Sequence, residues 1–160
     1  MVKTIVSDLF DVDCDFIAHQ VNCQGVMGAG LAKDIRARYP KVYDKYRSIC
    51  STYDKHSLLG KSFICDRVIS VFGQYTYASM HSMSTFGTYT NLYPQNIVYT
   101  DYTALEQAFT AIHNRLPIDK SIALPYKFGC GLANGNWHTV YKLICKCFAN
   151  RTIYICKKSN

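Results

Sequence analysis

At 160 residues, 49% of them hydrophobic, the chain is long enough for one domain and apolar enough for an ordinary core, which excludes wholesale disorder. No apolar run approaches the roughly 20 residues that span a bilayer, so no membrane segment is expected. The formal charge of +7 favours anionic partners, whether a nucleotide, a phosphorylated metabolite or nucleic acid.

The chain opens on Met1-Val2-Lys3-Thr4-Ile5-Val6, already in strand pattern and without a leader of secretory type, so the cytoplasm is the expected compartment. Residues 3–7 and 16–21 form two β-branched runs. Residues 28–39 carry Leu31, Ile35 and Tyr39 at a spacing of four, which predicts a helix. Pro40 stops it or starts the next, and residues 42–50 continue with Val42, Tyr46 and Ile49 on one face. Leu58-Leu59-Gly60-Lys61 turns into a strand at 62–65, joined to another at 68–72 by a turn at Asp66-Arg67.

From residue 73 to 96 the pattern dissolves into a stretch rich in Tyr, Ser, Thr, Met and Gly, a length of loop that is usually functional or mobile. Residues 102–116 then predict a helix ended by Pro117, residues 122–124 a buried strand, residues 135–148 a helix and residues 152–156 a closing strand. Strands interleaved with helices imply an α/β domain with a mixed or mostly parallel sheet and helices on both faces. Ligands in such sheets sit at the carboxyl ends of strands.

The eight cysteines include no C-x-x-C pair and no zinc spacing, so they are expected to be reduced core thiols, with no metal and no cofactor. The basic residues are scattered, and a solvated surface explains them as well as a partner does.

Six of the nine glycines fall in two strand–loop–helix junctions: Gly25, Gly28 and Gly30, then Gly129, Gly131 and Gly135. Glycine admits an anion close to backbone N–H groups, and the helix end that follows adds partial positive charge. Two such loops suit a diphosphate. Neither matches the dinucleotide fingerprint or the Walker pattern.

The run Ala18-His19-Gln20-Val21-Asn22-Cys23-Gln24-Gly25-Val26-Met27-Gly28-Ala29-Gly30-Leu31-Ala32 resembles the first ligand loop of macrodomains. Leu124-Pro125-Tyr126-Lys127-Phe128-Gly129-Cys130-Gly131-Leu132, followed by Asn136-Trp137, is similar to their second. Leu58-Leu59-Gly60-Lys61 and Val71-Phe72-Gly73-Gln74 are similar to one branch of the family, which holds terminal ADP-ribose protein glycohydrolase, the yeast-type ADP-ribose 1″-phosphate phosphatase and many phage and bacterial relatives.

The resemblance covers nearly the whole chain. It implies a single three-layer α/β/α macrodomain over residues 1–160, with a central mixed, mostly parallel six-stranded sheet. It implies ADP-ribose or ADP-ribose 1″-phosphate as ligand, an ADP-ribosylated protein as a further candidate partner, a monomer, and the host cytoplasm if the source is viral.

By the same resemblance Asp8 accepts from the adenine amino group, with a turn-capping role as its alternative, and Asn22 hydrogen-bonds the distal ribose. Met27, Gly28, Ala29 and Gly30 border the distal ribose and phosphates, and Gly129, Cys130, Gly131 and Leu132 wrap the diphosphate. Leu9, Gln24, Pro125 and Phe128 complete the ligand-binding set. His19 has a pKa range suited to proton transfer, with a hydrogen-bonded core role as its alternative; His19 and Asn22 are the catalytic candidates. His81 in the long loop and His138 are read as solvated and structural.

The chain also departs from the glycohydrolases. Gln74 and Ala133 stand where that branch carries a lysine and an aspartate, so neither a Schiff base nor that general base is expected. Three activities follow as expectations: metal-free hydrolysis of ADP-ribose 1″-phosphate, a non-catalytic ADP-ribose module, or ADP-ribosyl hydrolysis without the lysine/aspartate pair. A nucleic-acid binder ranks behind, for want of a clustered basic–aromatic motif.

Overall fold

A computed structural model describes residues 1–78 and 97–160. It contains β1 (Val2–Val6), β2 (Phe16–Asn22), α1 (Gly30–Arg38), α2 (Pro40–Thr52), the one-turn α3 (Lys55–Leu58), β3 (Ser62–Cys65), β4 (Val68–Gln74), α4 (Tyr102–Arg115), β5 (Ile122–Pro125), α5 (Trp137–Cys147) and β6 (Ile153–Lys157). The six strands form one sheet in the order β1-β6-β5-β2-β4-β3. All neighbours are parallel except β3 and β4, the hairpin that the Asp66-Arg67 turn announces.

Side chains alternate across a strand, and here they divide between two cores. Val68 and Phe72 of β4, with Ile17 and Val21 of β2, pack under Ile35 of α1 and Val42, Tyr46 and Cys50 of α2. Ile69 and Val71, with Ala18, Ile122, Leu124, Ile153 and Ile155, face Leu105, Ala108, Phe109 and Ile112 of α4 and Val140 and Ile144 of α5. Both sheet faces are therefore covered, which gives the three layers that the strand–helix alternation predicts.

Boundaries move by a residue or two where caps decide them. Tyr39 ends α1 through its N–H on the Ile35 carbonyl (2.7 Å), and Pro40 fills the first position of α2, so the proline both stops one helix and starts another. Asn136 caps α5 through the Thr139 N–H, which starts that helix later than the spacing suggests. β4 runs on through Gly73 to Gln74, two residues past its expected end. The single turn of α3 and a 3-10 turn at Leu9–Asp11 carry too few residues to show a period.

Arg151 is the largest fully buried side chain. Its guanidinium donates to the carbonyls of His113, Leu116, Pro117 and Lys120 at 2.7–3.0 Å and to His113 Nδ1 at 3.3 Å. Those carbonyls lie at and beyond the C-terminus of α4, where the helix dipole is negative and its last carbonyls lack helical partners. The Arg151 carbonyl in turn accepts from the Met1 amino group, so the residue ties α4 to the starts of β6 and β1. Among the described residues no helix is long and apolar enough to cross a membrane.

Candidate functional site

β2 and β5 are neighbours, and both run toward the same end of the sheet. There the two glycine loops emerge, residues 23–29 into α1 and residues 126–136 into α5. A cleft of about 550 Å³ opens beside them. Its lining comes from Asp8, Leu9 and Phe10 after β1, Gly30, Leu31 and Asp34 of α1, Pro125 and Tyr126 after β5, and Cys156, Lys157, Lys158 and Asn160 from the end of β6 onward.

Of the expected ligand-binding residues, Asp8, Leu9, Gly30 and Pro125 line this cleft. Asp8 also serves the alternative reading: its Oδ1 accepts from the Phe10 N–H at 3.0 Å and caps the 3-10 turn, while Oδ2 faces Lys158 Nζ at 3.1 Å. The Phe10 N–H, helped by Lys158, holds its carboxyl below the usual range, so it is an acceptor at neutral pH.

The N-terminus of α1 borders the cleft. Its N-cap is Ala29, which offers no side-chain acceptor, whereas α3, α4 and α5 are capped by Asp54, Asp101 and Asn136. The first N–H groups of α1 thus keep their capacity for an anion.

Asn22 organises the first loop. Its Oδ1 accepts from Gln24 N at 2.9 Å and Tyr46 Oη at 2.8 Å, and its Nδ2 donates to the Val26 carbonyl at 2.8 Å. Tyr46 also donates to the Asn22 carbonyl at 2.6 Å, and burial pushes its phenol pKa up, so it remains a donor. The other Nδ2–H of Asn22 has no partner among the described residues. Gln24 turns away from the cleft, to the Tyr75 carbonyl and Lys55. The Met27 side chain is buried in the core, so only its backbone can border a ligand. Gly28 and Ala29 are exposed beside it.

The second loop is held by backbone. Gly135 N donates to the Gly129 carbonyl at 2.9 Å, and Tyr99 N and Thr100 N converge on the Ala133 carbonyl. Thr100 Oγ1 donates to the Gly129 carbonyl at 2.5 Å. Gly129 has φ +69°, which favours glycine, and a Cβ there would stand 2.7 Å from Gln20 Oε1, so that glutamine would have to shift. The N–H groups of Gly129, Gly131 and Leu132 have no carbonyl partner among the described residues. Leu132 is 64% exposed, whereas Phe128 packs edge-on against Phe109 in the core. The Phe128 side chain is therefore a core anchor. Burial raises the Cys130 thiol pKa, so it is protonated and no nucleophile at neutral pH.

His19 lies within the central sheet. It is 1% exposed, inside β2, with Nε2 2.7 Å from Ser70 Oγ on β4 and Nδ1 buried without a partner. Desolvation depresses its pKa to about 3, so it is neutral throughout the physiological range. It lies outside the cleft lining. His81 lies outside the described residues.

Gln74 accepts from Gln20 Nε2 at 2.9 Å and donates to the Thr76 carbonyl, and Ala133 is buried, so neither position supplies an amine or a carboxylate. Among the described residues no three His, Cys, Asp or Glu side chains gather where they could hold a metal.

Phe10, Asp34, Tyr126 and the Lys157-Lys158 end of β6 are cleft residues that loop motifs do not reveal. Their signal is topological. Parallel pairing of β1 with β6 brings residue 8 beside residue 158, which local sequence cannot show.

No protein-family model matches the chain. It is 36% identical over 59 residues to the DNA ADP-ribosyl glycohydrolase of Mycobacterium tuberculosis, a stretch covering 37% of this chain and 16% of that protein. It is 42% identical over 53 residues to the ADP-ribose 1″-phosphate phosphatase of Aspergillus oryzae, covering 32% and 26%. The chain thus matches well under a third of the length of these relatives. Among solved structures, the macrodomain of Mycobacterium tuberculosis DarG superposes with a TM-score of 0.73 at 20% identity, covering 99% of both chains. Thermosipho africanus DarTG in complex with ADP-ribose gives 0.72 at 19% identity, covering 99% of this chain and 41% of that one. A six-stranded mixed sheet between two helical layers and these superpositions together establish that the chain has the macrodomain fold.

Proposed function

We propose that the chain binds ADP-ribose-type ligands at the ends of β2 and β5 and hydrolyses ADP-ribose 1″-phosphate to ADP-ribose and phosphate. The observation that carries this reading is the pair of glycine loops on neighbouring parallel strands, with the carboxylate of Asp8 at the edge of the adjoining cleft. Asp8 accepts from the adenine amino group. The N-terminus of α1 and the N–H groups of Gly129, Gly131 and Leu132 take the diphosphate and the terminal phosphoryl group. The names of the phosphatase and glycohydrolase relatives, and of the solved complex with ADP-ribose, support the same ligand class.

In the reaction, water attacks phosphorus and the bond from phosphorus to the 1″ oxygen breaks. The departing oxygen takes the proton that the attacking water gives up and leaves as the sugar hydroxyl. Backbone donors hold the charge on the phosphoryl oxygens. Asn22 offers its remaining Nδ2–H to the ribose or the attacking water. His19 acts from beneath, fixing β2 against β4 through Ser70. Such a site works without a side-chain base, and slow turnover is expected. We read the protein as a cytoplasmic monomer formed by one domain.

Calorimetric titration with ADP-ribose, followed by phosphate release from ADP-ribose 1″-phosphate, tests the reading. Binding with release supports it. Binding without release leaves a module that reads or sequesters ADP-ribose, a second reading favoured by the neutral His19 and by Gln74 and Ala133. Absence of binding sinks both. Release of free ADP-ribose from an ADP-ribosylated protein, followed in a separate assay, reports on the glycosidic bond.

A further inference from the structure

One wall of the cleft is more basic than the rest. From Lys120 to Asn160 the chain carries seven basic residues and no acidic one. Two of the seven, Lys157 and Lys158, reach the cleft from the end of β6. Lys158 is engaged by Asp8 at 3.1 Å. Lys157 is exposed and forms no ion pair among the described residues.

Lys157 is nonetheless held in place. Its Nζ lies 5.2 Å from the centre of the Tyr126 ring, and Lys127 Nζ lies 5.7 Å from the same centre. Tyr126 lines the cleft too, and Trp137 packs edge-on against it with centroids 5.2 Å apart. A ring fixed by a second ring restrains both ammonium groups by cation–π attraction, so less side-chain freedom is lost when an anion arrives. Arg38 adds to the same field from α1, 4.2 Å from the centre of the ring of Phe10, another lining residue. The carboxylates of the lining are Asp8 and Asp34. With Lys127 and Arg38 at its edge, the cleft keeps a positive surplus.

The sheet order says which part of a ligand meets this surplus. β6 lies between β1, which leads to Asp8, and β5, which leads to the second glycine loop. On the reading proposed above, on which this inference rests, adenine sits at Asp8 and the diphosphate at the glycine loops. The adenosine ribose then spans the end of β6, beside Lys157. A ribose hydroxyl needs no ammonium. A phosphomonoester, with about two negative charges and three acceptor oxygens at neutral pH, matches one. Of the ribose hydroxyls, the 2′ adjoins the carbon that bears adenine and so lies nearer the Asp8 end. We propose that the cleft prefers ADP-ribose phosphorylated on the 2′ oxygen of its adenosine ribose. Lys157 is the specificity-determining residue, and Lys127 supports it from the other loop.

Calorimetric titration at low ionic strength compares ADP-ribose with ADP-ribose 2′-phosphate. The 2′-phosphate should bind about tenfold tighter, the worth of one charge-assisted hydrogen bond. That preference should shrink as added salt screens the exposed ammonium groups. Lys157→Ala should bring the ratio of the two affinities close to one, and Lys157→Arg should keep it high. Lys127→Ala, outside the cleft lining, should lower the ratio less. Equal affinities in a wild-type protein that binds ADP-ribose overturn the proposal and spare the ADP-ribose reading. So does a ratio that Lys157→Ala leaves intact. Binding of neither ligand sinks the ADP-ribose reading, and this inference with it.

Discussion

The loop after β2 and the loop after β5 meet at one end of the sheet, yet their supports differ in kind. The first closes on side chains: Asn22 gathers Gln24, Val26 and Tyr46, and Tyr46 reaches in from α2, 24 residues on. The second closes chiefly on backbone, with the Thr100 hydroxyl as an added tie from a segment that follows residues 79–96. A loop knotted through one amide is sensitive to that amide and its donor. A loop laced chiefly by main-chain bonds tolerates side-chain change away from Thr100 but depends on a distant stretch arriving in register.

The widest disturbance should come from the end of the sheet opposite both loops, where the starts of β1 and β6 are tied to α4. Arg151→Met strips several buried carbonyls of their donor and should cost about 3–5 kcal/mol in denaturant unfolding. It should raise amide exchange in both loops alike, because it acts on the scaffold they share. If only one loop loosens, the two rest on separate foundations.

His19 distinguishes the β2 side by pH. Its folded-state pKa near 3 lies below its ordinary 6.5, so the unfolded chain takes up the proton first as pH falls. Stability is therefore flat above 6.5 with respect to this residue and declines between 6.5 and 3, by up to about 1.4 kcal/mol per pH unit. His19→Gln should flatten that decline; an unchanged slope in urea unfolding across this range would show that the imidazole accepts protons without penalty.

A crossed pair of variants addresses the contrast directly. Tyr46→Phe removes both bonds to Asn22 and should cost about 1–3 kcal/mol, with hydrogen exchange rising over residues 23–29 and ADP-ribose affinity falling. Thr100→Val removes the bond to Gly129 and should cost about 1–2 kcal/mol, with exchange rising over residues 129–135 instead. Identical exchange maps would dissolve the distinction. At the small end, Gly131→Ala meets no atom within 4 Å of the new Cβ and should change stability by less than about 0.5 kcal/mol.

Local sequence carries much of this architecture because both cores are written in period. Ile17 and Val21 against Ala18, and Val68 and Phe72 against Ile69 and Val71, announce strands with two buried faces. The loops are legible too, since glycine and a following helix are local features. Burial and sheet order are less so. Met27 and Phe128 sit in ligand-loop motifs, yet their side chains belong to the core, and a motif cannot say which way a side chain turns. The sequence does not show that His19 is buried against Ser70 of β4. The Lys157-Lys158 wall of the cleft depends on the two ends of the chain pairing in parallel, and Arg151 gives no local sign of its carbonyl partners.

Gln20 crosses between Gly73 of β4 and Gly129 of the second loop, its Oε1 2.5 Å and 2.7 Å from where their β-carbons would stand. One side chain fills the room that two glycines leave, so the three positions cannot vary independently. A mutational path through this region is ordered. Shortening residue 20 first would leave position 73 limited chiefly by the flexible end of Leu105, while the φ of +69° would still hold position 129 to glycine. Any scan that changes these sites singly in the presence of Gln20 measures that glutamine's volume as much as the site it mutates.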